Sequence, residues 1–269
     1  MSVRMIATDL DGTLLGEDKD ISPINREALR ACYERGMEIV FASGRSFHSA
    51  RILAKKLDVP VRLLCLNGCL AAESAEGPTL FDTRLSRPAA LALWDRLLAT
   101  GAYFICYAGD KVYMGNRQPY PGHNTEPGLR GEPGYFQEYT DDEADFRAEG
   151  CGRASKFVLF SLDEACRDRA RRAADGLGVN VFSSWGDNVE IVPGGVSKGA
   201  GLCRLAERYG VSMRDVMAFG DYDNDETMLS AVGHPVAMAS GSEALKKPGR
   251  PQASSVGKYI LSLMEAGKL

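Results

Sequence analysis

The stretch Val3–Leu15, VRMIATDLDGTLL, starts as an apolar run and ends on two aspartates, Asp9 and Asp11, with Gly12 and Thr13 directly behind them. Short apolar runs bounded by turn residues read as buried strands. A strand carried through Asp11 turns residues 9 and 11 to one face, because side chains alternate with period two. Two carboxylates then crowd one strand end, and like charges that close resist joint ionisation unless something positive lies between them. Gly12 permits a sharp turn at that point. Alone, the stretch is equally compatible with a surface turn, where Asp and Gly are common.

Outward from this stretch the chain alternates strand and helix. Residues 21–35 place Ile24, Ala28, Leu29 and Cys32 at helical spacing, with Ser22 as N-cap and Pro23 at the first helical position. MEIVFASGR (Met37–Arg45) reads as a strand running into a loop, a helix follows over about 46–57, and VRLLCLNG (Val61–Gly68) is a third strand. Strand, helix, strand, helix, strand implies an α/β fold: a Rossmann-like parallel-sheet core with helices on both faces. Ligands of such sheets bind beyond the carboxyl ends of the strands. All three strand ends are polar here: Asp9 and Asp11, then Ser43-Gly44-Arg45, then Asn67-Gly68.

The middle of the chain changes character. A helix over 88–100 precedes YFICYAGDKVYMG (Tyr103–Gly115), which reads as a hairpin turning at Ala108-Gly109-Asp110. Residues 115–134 are broken by proline and glycine and read as a loop. SKFVLFS, a helix over 163–177, VNVFSS and NVEIVPG complete an inserted α+β unit. The α/β rhythm then returns: a helix over 197–209, the strand DVMAFGD, the helix NDETMLSAV, the strand HPVAMA and the helix VGKYILSLMEAG. The expected organisation is a discontinuous core, 1–82 and 190–269, with an inserted domain at 83–189.

Bulk properties narrow the function. With 32 basic and 36 acidic residues the net charge is -4, which argues against nucleic acid as a partner. The seven cysteines are scattered. Cys65 and Cys69 form a C-x3-C pair with no second pair or histidine cluster to complete a zinc site, so buried thiols in a reducing compartment are expected. No apolar run approaches the length of a membrane span. A cytoplasmic protein without membrane contact is the expectation.

The second acidic cluster gives the first its meaning. FGDYDND (Phe219–Asp225) follows an apolar strand and carries Asp221, Asp223, Asn224 and Asp225. If its strand neighbours the first, the two acidic loops face each other, a grouping that makes sense around a cation. Oxygen donors without histidine or thiolate favour Mg2+, and a magnesium with open positions suits phosphate oxygens. Phosphate chemistry also needs donors and positive charge. Ser43 and the amide of Gly44 supply donors, and Lys198 begins a helix whose dipole favours anions. No Walker-type phosphate loop is present.

These four segments together resemble the haloacid dehalogenase superfamily of phosphatases. DLDGTLL resembles its first motif, FASGR its second, VSKG its third and GDYDND its fourth. Their order and spacing resemble the Cof-type subgroup, in which a large α/β cap of the C2B kind lies between the second and third motifs. The resemblance implies Asp9 as nucleophile, forming an aspartyl-phosphate, and Asp11 as the acid that protonates the leaving alcohol and the base that then activates water. It implies magnesium held by the carboxylates of Asp9 and Asp221 and the backbone carbonyl of Asp11, with Asp225 supporting the metal shell mostly through water. Ser43, Gly44, Lys198 and Asn224 would bind or position the phosphoryl group. Arg45, Asn67 and Gly68 match positions near the substrate. The implied activity is magnesium-dependent hydrolysis of a small phosphorylated metabolite, a sugar phosphate being one candidate, by a monomer or small homo-oligomer. The cap would set substrate choice. A phosphomutase of the same superfamily and a non-catalytic phospho-aspartate switch are the alternatives. Asp11 weighs against the switch, which needs a long-lived acyl-phosphate.

The sequence also departs from the pattern. Ala239-Ser240 stand where the family often has Gly-Asn, which is expected to loosen the support behind the fourth motif. KKPGRPQ (Lys246–Gln252) reads as a solvated charged loop. His48, His123 and His234 match no motif, and Trp94, Trp185, Tyr103, Tyr107 and Tyr113 read as packing residues of the inserted unit.

Overall fold

The structure, a computed structural model, describes residues 2–116, 137–184 and 186–269. Most of the proline- and glycine-broken stretch, with His123, lies outside the described residues, as does Trp185. The chain divides into two compact units, Met1–Phe81 with Ser197–Leu269, and Asp82–Val196.

The core unit begins with β1 (Met5–Thr8), α1 (Pro23–Glu34), β2 (Glu38–Ala42), α2 (Phe47–Lys55), β3 (Arg62–Cys65), β4 (Leu70–Ala72) and β5 (Thr79–Asp82). The inserted unit contains α3 (Arg87–Leu98), β6 (Phe104–Ala108), β7 (Lys111–Gly115), β8 (Glu138–Thr140), α4 (Glu143–Ala148), β9 (Ala154–Phe160), α5 (Glu164–Ala173), β10 (Val179–Phe182) and β11 (Asn188–Pro193). The core resumes with α6 (Lys198–Arg208), β12 (Val216–Gly220), α7 (Glu226–Ala231), β13 (His234–Met238), β14 (Gln252–Ala253) and α8 (Val256–Glu265).

The core sheet has the order β14-β13-β12-β1-β2-β3-β4-β5. From β14 to β3 every pairing is parallel. β4 turns back against β3, so the sheet is mixed at that side rather than wholly parallel. Apolar residues on one face of the strands, among them Met5, Ala7, Val40 and Ala218, pack with Leu202 and Leu205 of α6 and Met228 of α7. On the opposite face Phe219 meets Tyr259 of α8, ring to ring at 5.8 Å. Burying such aliphatic and aromatic side chains on both faces contributes about 1.5–3 kcal/mol each, which is why these strands read as continuous apolar runs. The helix starts obey local chemistry. The side chains of Ser22, Ser46 and Ser197 accept backbone N–H bonds from Asn25, Ser49 and Ala200, each satisfying one of the otherwise unpaired amides of a first turn.

The inserted unit is a second sheet of order β10-β11-β9-β6-β7-β8. β6 and β7 form the expected hairpin. Its core is built around Trp94 of α3, stacked on Phe146 with ring centroids 4.0 Å apart and edge-on to Phe104 at 5.0 Å. Tyr113 joins that core, and Tyr103 and Tyr107 are also buried. The second boundary lies at Val196/Ser197 rather than at 189/190, because β11 pairs with both β9 and β10 and so belongs to the inserted sheet. Six cysteines are buried, whereas Cys203 is exposed on α6. His48 is buried in α2, and His234 begins β13. Among the described residues no helix is long and apolar enough to cross a membrane.

Candidate active site

The strand order places the sequence motifs side by side. β12, β1, β2 and β3 are consecutive neighbours, so the loops after them, at 221–225, 9–14, 43–45 and 66–68, leave the same end of the core sheet. β1 ends at Thr8 and does not continue through Asp11. Asp9 remains extended, and its amide donates to the Phe219 carbonyl at 3.0 Å; residues 10–14 then form a tight turn with Gly12 at φ +82. A Cβ at Gly12 would collide with the Asp221 carboxylate, so this glycine serves both a left-handed backbone and a close approach.

Lys198, the first residue of α6, lies between two carboxylates. Its Nζ donates to Asp9 Oδ1 and to Asp225 Oδ1, both at 2.6 Å, and its side chain is 1% exposed. The other Asp225 oxygen accepts the backbone N–H groups of Asp221 at 2.9 Å and Tyr222 at 3.2 Å. Both oxygens of Asp225 are therefore engaged, which makes it an anchor for Lys198 and for the 221–222 backbone. Thr13 donates its hydroxyl to Asp221 Oδ1 at 2.7 Å and so joins the first motif to the fourth. Carboxylate oxygens of Asp9, Asp221 and Asp225 lie within 4.8 Å of one another.

The electrostatics follow from this packing. Burial pushes the Asp9 carboxyl well above the usual carboxylate range; Lys198 opposes this, while Asp225, Asp221 and Asp11 reinforce it. Asp221 is pushed up to about 6 by burial and by Asp225, against the hydrogen bond from Thr13. For Lys198, burial works against the ammonium, but Asp225 and Asp9 outweigh it and hold the group charged. Two buried carboxylates, Asp9 and Asp225, share the Lys198 ammonium beside the half-buried Asp221, so the cluster of three lacks positive charge. These residues could hold a hard divalent cation, and their oxygen-only donors suit magnesium.

Asp11 has different partners. Arg45 grips it with two bonds, Nε to Oδ2 at 2.6 Å and Nη2 to Oδ1 at 2.7 Å, and Lys19 Nζ lies 3.4 Å from Oδ1. Burial alone would raise the Asp11 pKa, but the hydrogen bonds and charge of Arg45, helped by Lys19, bring it below the ordinary value. Ser43 is buried in the same loop, and its Oγ accepts the Arg45 backbone N–H at 3.1 Å; Gly44 lies between them. Asn224, also buried, donates its Nδ2 to Asn67 Oδ1 at 3.3 Å. Gly68, at φ +98, packs against the Ser197 carbonyl so closely that a Cβ would collide with it.

Two expectations about the segments after the fourth motif are corrected. Residues 239–240 do not leave the Asp221 loop unsupported, because the amide of Ser242 donates to the Asp221 carbonyl at 2.7 Å. The 246–252 segment is not simply solvated. Arg250 is largely buried and donates to Glu226 Oε2 and to the Leu245 carbonyl, each at 2.8 Å, and Lys247 also pairs with Glu226. These bonds fasten the segment to α7. Thr13 and Lys19 carried no site assignment in the sequence. Thr13 stands within the first motif, but nothing local shows that its hydroxyl reaches Asp221.

Comparison with known proteins decides the family. The haloacid dehalogenase-like hydrolase family matches residues 6–252. The chain belongs to the haloacid dehalogenase-like hydrolases. Among its relatives of this family, the 5-amino-6-(5-phospho-D-ribitylamino)uracil phosphatase YwtE of Bacillus subtilis is 28% identical, the match covering 91% of each chain. The pyridoxal phosphate phosphatase YbhA of Escherichia coli is 29% identical over 97% of this chain and 99% of its own. A haloacid dehalogenase-like hydrolase from B. subtilis shares the fold with a TM-score of 0.83 at 24% identity, covering 99% of this chain and 100% of that one. In haloacid dehalogenase terms the first, second and fourth motifs of this chain occupy loops at one end of one sheet, and the third begins α6 with Lys198 bonded to Asp9 and Asp225.

Proposed function

We propose that this hydrolase is a magnesium-dependent phosphatase of a small phosphorylated metabolite, with the phosphoryl group carried transiently on Asp9. The observation that supports this most is the Lys198 ammonium held at 2.6 Å from both Asp9 and Asp225, beside a third, half-buried carboxylate, Asp221. Phosphatases acting on small phosphorylated metabolites among the relatives support the same reading.

In the first step an Asp9 oxygen attacks phosphorus, the ester P–O bond breaks, and the departing oxygen takes a proton from Asp11. In the second, water attacks the aspartyl-phosphate, Asp11 accepts the water proton, and phosphate leaves as Asp9 is regenerated. With Arg45 gripping it, Asp11 is set as the base of the second step; its acid role requires the incoming phosphoryl group to take over Arg45. Lys198, Ser43, the Gly44 amide and Asn224 provide charge and donors for the transferring oxygens, where fixed donors in a buried site act most strongly. Asp9, Asp221 and the Asp11 carbonyl would hold magnesium, with Asp225 behind them. Magnesium there supplies the positive charge that the three carboxylates lack and that the phosphoryl oxygens require. Substrate choice is assigned to the inserted unit, and the cytoplasm is the compartment proposed. The experiment is a screen of phosphorylated metabolites, sugar phosphates included, reading phosphate release with magnesium and with EDTA. Release that persists in excess chelator refutes the metal assignment, and no release from any ester refutes the phosphatase reading.

A further inference from the structure

The turn after β3 has an unusual backbone. Leu66 and Asn67 are consecutive non-glycine residues in the left-handed region, at φ +51 and +57, followed by Gly68 at φ +98. Asn tolerates this region because its short polar side chain bonds locally, but a leucine there is strained by its Cβ. Such strain persists only where surrounding contacts over-determine it, and it concentrates at functional sites. The contacts here are specific. The Leu66 amide donates to the Arg45 carbonyl at 2.9 Å, and the Asn67 amide donates to the Ser43 carbonyl at 3.1 Å. The Asn67 side chain, 1% exposed, accepts from Asn224, and Gly68 abuts the residue preceding Lys198. One three-residue turn therefore touches the loops of the second, third and fourth motifs.

We infer that Asn67 is a positioning residue for phosphoryl transfer, acting through Asn224. This rests on the phosphatase reading above. A carboxamide nitrogen carries two protons. Asn67 takes one, which fixes the plane of the Asn224 amide and leaves the second for an anion. The backbone of Asn67 holds the Ser43 loop at the same time, so donors from the second and fourth motifs are set by one residue. The strained backbone is explained by the same role: a relaxed turn would carry the carboxamide away from Asn224 and the Asn67 amide away from Ser43.

The test separates the side chain from the turn. Asn67→Gly keeps a backbone that favours positive φ and removes the carboxamide, and circular dichroism and thermal unfolding check that the variant remains folded at the assay temperature. Losing one aimed hydrogen bond should lower kcat/KM for p-nitrophenyl phosphate about 5- to 10-fold and weaken competitive inhibition by inorganic phosphate to a similar degree. In an Asn224→Ala background, the same Asn67→Gly change should cost less than about 2-fold, because the group it positions is gone. A purely structural Asn67 would give equal losses in both backgrounds, and that result overturns the inference. So does wild-type activity in Asn67→Gly. Wild-type protein that releases no nitrophenol overturns the phosphatase reading, and the inference with it; wild-type turnover with additive losses overturns the inference alone.

Discussion

Stripped of divalent metal, the cluster of Asp9 and Asp221 should contribute less to stability as the pH rises from about 4 towards 7. Burial and Asp225 push Asp221 up to about 6, from 3.8 in an unfolded chain, and Asp9 is displaced in the same direction. Between those two values these groups bind more protons in the folded state than in the unfolded one, so their contribution to stability falls as pH rises through the interval. For Asp221 alone the full gap corresponds to about 3 kcal/mol at 1.36 kcal/mol per pH unit. Discounting for its partial exposure leaves about 2 kcal/mol, or roughly 4–6 °C in melting temperature for a chain of this size. Magnesium binds the ionised carboxylates, so its stabilising effect should be larger at about pH 7.5 than at about pH 5. The assay is thermal unfolding followed by circular dichroism at both pH values, with EDTA and with magnesium, on wild type and Asp221→Asn. The substitution should flatten the pH slope of the chelated protein by about 4 °C and abolish most of the magnesium effect. Identical slopes in the two proteins, or a magnesium shift as large at pH 5 as at pH 7.5, would refute the charge-deficit argument.

Three further outcomes are expected. Asp11→Asn should slow hydrolysis of an alkyl phosphate by about 10²–10⁴, whereas p-nitrophenyl phosphate, whose leaving group departs unaided, should give a burst of nitrophenol and then stall; rapid-mix kinetics showing equal losses and no burst would make Asp11 structural. Gly12→Ala introduces a Cβ against Asp221 at φ +82. It should cost about 1–2 kcal/mol from the left-handed backbone and lower magnesium-dependent turnover at least tenfold as Asp221 is displaced, so turnover equal to wild type at every magnesium concentration would contradict the described approach. Glu226, held near a pKa of about 2 because bonds from Arg250, Lys247 and Ser230 outweigh burial, fastens the 246–250 segment. Glu226→Gln should lower stability by about 1 kcal/mol after allowance for exposure, read as a lower urea midpoint; an unchanged midpoint would mean the segment is held by other contacts.

The sequence by itself determined the local parts of this protein. Apolar runs ending in turn residues located β1, β2, β3 and β12, because periodicity and turn chemistry act within a few residues. Ser22 ahead of Pro23 located the start of α1, because a cap bonds an amide two or three positions away, and the helical stretches expected from about 46 and from 197 begin within one residue of α2 and α6. The four motifs were legible for the same reason, each being a contiguous run at a strand or helix end. Weakly patterned pieces were not legible: β4, β5 and the two-residue β14 are defined by partners distant in sequence. The site itself was decided by tertiary structure. Thr13 reaches Asp221 across 208 residues because β12 lies beside β1, and Lys198 reaches Asp9 across 189 because α6 packs on one face of the same sheet. The grip of Arg45 on Asp11 spans 34 residues and depends on β2 being the other neighbour of β1. Residue types and spacing named the groups that could do phosphate chemistry, but which carboxylate each cation neutralises is set by strand order, and strand order is fixed by burial of the whole sheet between its helices.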